Sequence, residues 1–234
     1  DIDDALERWM NRVEDKYFCT ERDMLLLQSR VKVVLQPDSF SRDGSYTVTS
    51  LYFDDYSDTH LLDSEDGVSH RNKYRIRIYN GSLDVIKLEV KYKTYNRVFK
   101  RSRTITREDA KKLIEGECIK DEEQAMDNPV TLFNLAIRQN LLRPRVVVEY
   151  DRNAFVFMPG NVRITFDRNI RCSKDYHGFL ENKCTYGMLR EVNRILEVKY
   201  DEFMPMFIAQ LLENGSMDQT AYSKYKLCRE QMEG

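Results

Sequence analysis

Residues Lys73 to Lys93 read KYRIRIYNGSLDVIKLEVKYK, two arms of alternating polarity around Asn80-Gly81. Asn-Gly supplies the two positive-φ residues that a tight hairpin turn needs, so the stretch predicts a β-hairpin. In the first arm Lys73, Arg75, Arg77 and Tyr79 share one face, and Tyr74, Ile76 and Ile78 share the other. In the second, Lys87, Glu89, Lys91 and Lys93 oppose Ile86, Leu88, Val90 and Tyr92. A half-buried strand ordinarily turns a face of mixed polarity to water. Here that face is mostly cationic, with Glu89 set in it as a single carboxylate. Like charges at strand spacing repel, so an anion or further carboxylates should lie opposite them. A solvated face would account for one such hairpin, but not for the same pattern in strand after strand.

The pattern recurs in both directions along the chain. RVEDKYF (Arg12 to Phe18) alternates Arg12, Glu14 and Lys16, after a weakly helical acidic run from Asp3. Thr20-x-x-Asp23 is a helix-capping signal, and the helix it opens runs to Leu35 and stops before Pro37. Tyr46 to Asp54 is β-branched and aromatic and reads as a strand. A short helix over Asp58 to Glu65 precedes the hairpin. Beyond it, Arg97 to Ile105 is a strand carrying Lys100, Thr106-x-x-Asp109 caps a helix to Glu115, and Pro129 to Leu142 is an amphipathic helix. Arg143 to Phe157 is a long strand with Arg145, Val147, Glu149 and Asp151 on one face. After a Pro159-Gly160 turn, Asn161 to Arg171 aligns Arg163, Thr165 and Asp167, and Arg194 to Asp201 aligns Glu197, Lys199 and Asp201. Helices over Phe203 to Leu212 and Ala221 to Met232 close the chain.

Eight strands, antiparallel by the length of their connections, suffice to close a barrel whose interior holds side chains or a small ligand. The expected fold is therefore α+β: an eight-stranded antiparallel barrel, apolar outside against helices and charged within. Arg and Lys dominate the inner face, so its ligand should be a polyanion, with phosphate the natural candidate. Carboxylates beside phosphate are explained if they hold a hard divalent cation, Mn²⁺ or Mg²⁺, that bridges to phosphate oxygens. Glu14, Glu89 and Glu149 are also explained as ion-pair partners that keep a basic lumen folded.

The bulk composition narrows the alternatives. A chain of 234 residues fits one large domain or two small ones, and is here taken as one domain, 1–234. Its 37 Lys and Arg against 39 Asp and Glu leave a formal charge of −2, which argues against nonspecific nucleic-acid binding. Five scattered cysteines without CxxC spacing indicate neither a disulfide framework nor a zinc site, and suggest reduced thiols in a cytoplasmic protein. No apolar run approaches membrane-spanning length.

At this point the ordered pieces resemble a known family. RVEDKYF, TSLYFDD (Thr49 to Asp55), KYRIRIY, KLEVKYK, RPRVVVEYDRNAF (Arg143 to Phe155), VRITFD (Val162 to Asp167), ILEVKY (Ile195 to Tyr200) and SKY (Ser223 to Tyr225) recur in the order of a VTC domain. That domain is the polyphosphate polymerase branch of the CYTH-like triphosphate tunnel metalloenzymes. The resemblance implies that Arg75 and Arg77 grip the triphosphate, with Lys91 and Lys100 on the following strands. It places Lys16 near the reacting phosphate, Arg163 on the penultimate strand, Glu197 on the divalent metal and Lys224 on the closing helix. Lys87, Lys93 and Lys199 extend the basic surface. The family's arginine in the RPxVxxxY strand falls near Val147 by this alignment, with Arg145 as its substitute, and a lysine before the SKY motif is replaced by Ala221. The implied activity transfers the γ-phosphoryl group of ATP to a growing polyphosphate. Triphosphate hydrolysis and simple polyphosphate binding are the alternatives.

Overall fold

A computed structural model describes residues 13–41, 44–65, 70–94, 97–123, 125, 127–190, 192–201, 203–213 and 217–233. The acidic run expected from Asp3 lies mostly outside these residues. Eight long strands form: β1 (Val13–Phe18), β2 (Tyr46–Asp54), β3 (His70–Tyr79), β4 (Ser82–Thr94), β5 (Arg97–Ile105), β6 (Arg143–Phe157), β7 (Val162–Ser173) and β8 (Ile195–Tyr200). The helices are α1 (Glu21–Val34), α2 (Thr59–Glu65), α3 (Arg107–Glu115), α4 (Pro129–Asn140), α5 (Met206–Leu212) and α6 (Lys224–Glu233). The fold class is α+β, an antiparallel sheet flanked by helices.

Two compact units divide the chain, and β2, β6 and β7 run from one into the other. The first holds Asp1–Thr47, Tyr150–Ile170 and Met188–Tyr222; the second holds Val48–Glu149, Arg171–Gly187 and Ser223–Gly234. In the first, the hydrogen-bonded order is Asp218–Gln219, β1, β8, β7, β6; in the second it is β6, β2, β3, β4, β5. Among the described residues no pairing joins β5 to Asp218–Gln219, so a closed barrel is not among the observed pairings.

Local chemistry sets the element ends. Asn80 (φ 51°) and Gly81 (φ 65°) make the hairpin turn, and Arg75 faces Glu89 across it while Arg77 faces Lys87. Thr20 and Asp23 form a reciprocal capping box at α1. Gly116 ends α3 at φ 81°, where a Cβ would meet the Arg143 guanidinium within 2.5 Å. Two helices start later than their sequence pattern predicts. Pro205 sits at the cap of α5, so the helix begins at Met206 instead of Phe203. Ser223 Oγ accepts the Lys226 N–H, so α6 begins at Lys224 instead of Ala221.

The alternation sorts side chains as the hairpin pattern predicts. In the second unit Tyr74, Ile76 and Ile78 of β3 and Ile86, Leu88 and Val90 of β4 are buried in one core with Leu113 and Phe133. Phe133 is fully buried, edge-on to Tyr74 at 5.1 Å and to Phe53 at 5.3 Å. In the first unit Leu196 and Val198 of β8 pack with Met24, Leu27 and Val31 of α1. Each apolar face thus fixes which side chains turn to the opposite, charged face. Phe133→Ala should lower the unfolding free energy by about 3–5 kcal/mol, the usual cost of emptying a buried aromatic site, as read from denaturant titration.

Candidate functional site

The charged face of the second unit is centred on Glu89, which is 2 % exposed. Arg75 Nε lies 2.6 Å from one carboxylate oxygen and Arg77 Nη1 3.8 Å from the same oxygen. Lys100 Nζ lies 2.5 Å from the other. Burial alone would raise the Glu89 pKa, but Arg75, Arg77 and Lys100 outweigh it and hold the carboxyl far below its usual value. Tyr52 and Ser50 of β2 complete the face: Arg75 Nη1 donates to Tyr52 Oη at 3.2 Å and Arg77 Nε to Ser50 Oγ at 2.9 Å. Lys87 Nζ reaches Thr104 Oγ1 at 2.8 Å, and Lys73 and Lys91 face one another across the hairpin. Three cations around one carboxylate leave positive charge in excess, which suits an anionic ligand. Partial burial of Lys100, with Arg75 and Arg77 nearby, outweighs the attraction of Glu89 and brings its pKa down to about 8.

The first unit carries a different lattice, in which charges of opposite sign are paired by register. β1 lies against β8 so that Lys16 faces Glu197 and Glu14 faces Lys199. Lys16 Nζ is 2.9 Å from Glu14, and Lys199 Nζ is 3.2 Å from Glu197 and 3.5 Å from Glu14. Arg152 of β6 grips Asp167 with two hydrogen bonds, at 2.6 and 2.8 Å, and its Nη2 lies 3.7 Å from Glu197. Arg163 is held by Asp38 at 2.6 Å and by the Tyr46 hydroxyl at 3.4 Å. Thr165, directly across from Glu197, has a buried hydroxyl with no hydrogen-bond partner among the described residues.

The family model of the VTC domain matches residues 11–233, nearly the whole chain. The chain belongs to the VTC domain family. No curated protein matches its sequence. Among solved structures, it is similar to a putative adenylate cyclase from Bacillus halodurans, at TM-score 0.51 and 13 % identity over 86 % of this chain and 87 % of that one. It is also similar to a putative adenylyl cyclase from Hippeastrum, at TM-score 0.52 and 13 % identity over 95 % of this chain and 96 % of that one. The latter is described as having a dominant triphosphatase activity. At such identities the likeness is one of fold. VTC domains are triphosphate tunnel proteins, a phosphate-processing superfamily that binds triphosphates and uses divalent metals. No helix among the described residues is long and apolar enough to cross a membrane.

The structure groups the expected residues into sets. Arg75, Arg77, Glu89 and Lys100 form one cluster; Lys16, Glu14, Glu197 and Lys199 form another, with Arg163 two residues from Thr165 on β7. Lys93 pairs through its backbone with Arg71 and Val98, and its side chain lies outside the described residues. Lys224 opens α6, buried, where its charge acts on Tyr52. Two residues of β6 sit apart from these clusters. Arg145 is held by Asp58 at 3.2 Å and by the Asp55 carbonyl at 2.6 Å. Glu149 accepts from Thr49 (2.7 Å), Arg171 (2.9 Å) and Tyr186 (3.1 Å), on the strand face it shares with Val147 of the helix-packed core. The cation that β6 does bring to the carboxylates is Arg152, which sequence reasoning passed over. Its signal was present in the spacing: Arg152 is two residues from Tyr150, whose ring lies 5.1 Å beneath the guanidinium. Tyr52 was likewise passed over, inside a strand buried on both faces.

A hard divalent cation fits the first unit's lattice. Glu197 and Glu14 offer carboxylate oxygens and Thr165 a buried hydroxyl with an unused lone pair. Lys16, Lys199 and Arg152 already balance Glu14, Glu197 and Asp167, so an ion there needs further anionic oxygens, which phosphate would supply. The Asp54, Asp55 and His60 cluster is a poorer fit. Asp54 accepts the backbone N–H groups of Asp55 (2.8 Å), His60 (3.0 Å) and Leu61 (3.1 Å) and the Tyr225 hydroxyl (2.6 Å), so its oxygens are committed to protein donors.

Two outcomes follow from the Glu89 cluster. Glu89→Gln should destabilise the fold by about 3–5 kcal/mol, the cost of leaving buried charges unpaired. Inorganic tripolyphosphate should then raise its melting temperature more than that of the wild type. The wild-type contribution of Glu89 is present above its ordinary pKa of 4.5 and is lost as acid drives the pH down toward its depressed folded value. Lys100 works in the opposite sense: an arriving polyanion favours its ammonium form. Tripolyphosphate binding at pH values around its pKa of about 8 should take up protons, and affinity should fall as pH rises through that value. Calorimetry in buffers of different ionisation enthalpy should detect the uptake in wild type and its loss in Lys100→Gln.

Proposed function

We propose that this VTC domain is a metal-dependent polyphosphate polymerase that transfers the γ-phosphoryl group of ATP to a growing polyphosphate chain, in the cytoplasm. A terminal phosphate oxygen of the acceptor forms the new P–O bond as the bond to the β–γ bridging oxygen breaks, and ADP carries away the bridging oxygen. The proposal includes the closed eight-stranded antiparallel barrel expected of the fold. The observation that carries the reading is the cationic excess around Glu89, on a face that continues through Lys73, Lys87 and Lys91. At about 3.3 Å per strand residue, Lys87 to Lys93 alone reaches about 20 Å, longer than one triphosphate requires.

Each residue then has a defined task. Arg75 and Arg77 bind adjacent phosphates through charge-assisted hydrogen bonds, and Lys100 adds a third positive charge. Lys16, Arg152 and Arg163 orient the reacting phosphate and balance charge that develops on it. Glu197 is the first ligand for Mn²⁺ or Mg²⁺, with Glu14 and Thr165 beside it. When bound, that ion would neutralise phosphate oxygens and help hold the acceptor in line with the leaving group. Lys91 adds to the basic row of Arg75 and Arg77, and Arg145, Lys93 and Lys224 form the track that leads the product away.

The runner-up is a triphosphatase with water as the acceptor, favoured by the fold shared with the Hippeastrum protein and its described triphosphatase activity. Incubation with ATP and Mn²⁺ separates the two readings. We expect ADP and long-chain polyphosphate, resolved on a gel, with Glu197→Gln abolishing turnover while the fold is retained. Neutralising Lys93 and Lys224 should shorten the product more than it slows ADP release. Orthophosphate as the sole product, even with polyphosphate primer supplied, would overturn the polymerase in favour of the hydrolase.

A further inference from the structure

Tyr52 is 7 % exposed and its hydroxyl lies on the same charged face as Arg75 and Arg77. Arg75 Nη1 donates to the phenol oxygen at 3.2 Å, and a guanidinium has no lone pair with which to accept in return. The phenolic proton must therefore point elsewhere. Among the described residues it has no acceptor. The charges around the hydroxyl are those of Arg75, Arg77 and Lys224, and the one carboxylate of the cluster, Glu89, is already engaged by Arg75, Arg77 and Lys100. A buried O–H amid cations and donors lacks one thing, an anionic oxygen.

The ring is also held in place. Tyr52 stacks on Tyr225, with centroids 5.3 Å apart and planes 28° from parallel. The Tyr225 hydroxyl donates to Asp54 at 2.6 Å and accepts from Arg229 Nη1 at 2.8 Å, and Arg229 is fixed in turn by Asp58 at 2.9 Å. Asp54 is anchored by the backbone N–H groups of His60 and Leu61 at the start of α2 and by that of Asp55. The phenol therefore sits in one orientation before any ligand arrives, which is what a binding donor requires.

We propose that Tyr52 is a phosphate ligand, its hydroxyl donating to a non-bridging phosphoryl oxygen of the polyanion that Arg75 and Arg77 hold. This inference rests on the anion-binding role assigned to that face and adds to it a neutral donor. A guanidinium or ammonium attracts any anion, whereas a phenol set between them requires an acceptor oxygen at one position. Burial would raise the Tyr52 pKa, but Arg75, Arg77 and Lys224 outweigh it, so the phenol lies below the ordinary tyrosine value. Tyr17, Tyr46, Tyr74, Tyr186, Tyr200 and Tyr225 all shift upward. Tyr52 should thus titrate ahead of these six phenols. Phosphate accepting its proton, and adding negative charge, should delay that titration.

The test uses inorganic tripolyphosphate and protein carrying carbon-13 at the tyrosine ζ position. The Tyr52 resonance, assigned through its contact with the Tyr225 ring, should be absent in Tyr52→Phe, which keeps the stacked ring. In wild type its midpoint should move to higher pH when tripolyphosphate is added. Tyr52→Phe should bind tripolyphosphate about tenfold more weakly, the scale of a hydrogen bond to a charged group. A midpoint unmoved by bound tripolyphosphate would overturn the role of Tyr52, and the wild-type titration decides this even if the variant fails to fold. Affinity within twofold of wild type in a folded Tyr52→Phe would overturn it as well. Failure of wild type itself to bind tripolyphosphate is a separate outcome, and it would overturn the anion-site reading on which the inference stands.

Discussion

Repulsion between like charges on one strand face is the constraint around which the second unit is built. Arg75 and Arg77 are two residues apart, and Lys100 reaches the same carboxylate from the neighbouring strand. At the roughly 6.6 Å between residues two apart on a strand, unit charges repel by about 2.5 kcal/mol even at an effective dielectric constant of 20. Glu89 relieves part of this by accepting from Arg75 and Lys100 at once, and Ser50 and Tyr52 take further guanidinium donors. The apolar side of the same strands secures the arrangement. Tyr74, Ile76 and Ile78 cannot leave the core with Phe133 without the basic row going with them. Burial on one face is what holds mutually repelling groups together on the other.

The first unit solves a different electrostatic problem with the same geometry. Its antiparallel register sets each cation against a carboxylate, Lys16 against Glu197 and Lys199 against Glu14, and Arg152 lies on Asp167. The result is close to neutral. Such a lattice has little attraction for a polyanion alone and little for a cation alone, but it has groups that suit both arriving together. On the polymerase reading this unit supplies oxygen ligands for a metal and lysines for the phosphate it accompanies.

Much of this was legible in the sequence wherever one strand face was purely apolar and the other purely charged. The β3–β4 hairpin, its Asn80-Gly81 turn and the clustering of Arg75, Arg77 and Glu89 follow from alternation alone. β6 was ambiguous for a physical reason. Val146, Val147 and Val148 are all buried, so the strand has apolar residues on both faces and alternation cannot say which side carries the site. Counting from Arg145 selected Glu149 and passed over Arg152. Tyr52 was hidden by a similar run, since nearly every residue of Tyr46–Asp54 is buried and an aromatic there reads as packing. The pairing of Asp54 with Tyr225, 171 residues apart, has no local signature at all.

A carboxylate inside an anion site looks at first like a defect, because it competes with the ligand for the same donors. Its effect is better judged on a ligand that must move. Without Glu89 the arginines would lose this charged partner and would hold phosphate more strongly once it arrived. With Glu89 in place, Arg75 and Lys100 keep their positions between ligands, and each phosphate that enters replaces an existing partner instead of filling a vacuum. The net gain per phosphate is then a difference between two charge-assisted contacts, smaller than either. A polymer that advances by one phosphate per turnover needs many such contacts that are individually weak, since the barrier to each step is set by the contacts broken together. The single buried glutamate in a row of cations is therefore consistent with a surface over which a polyanion slides.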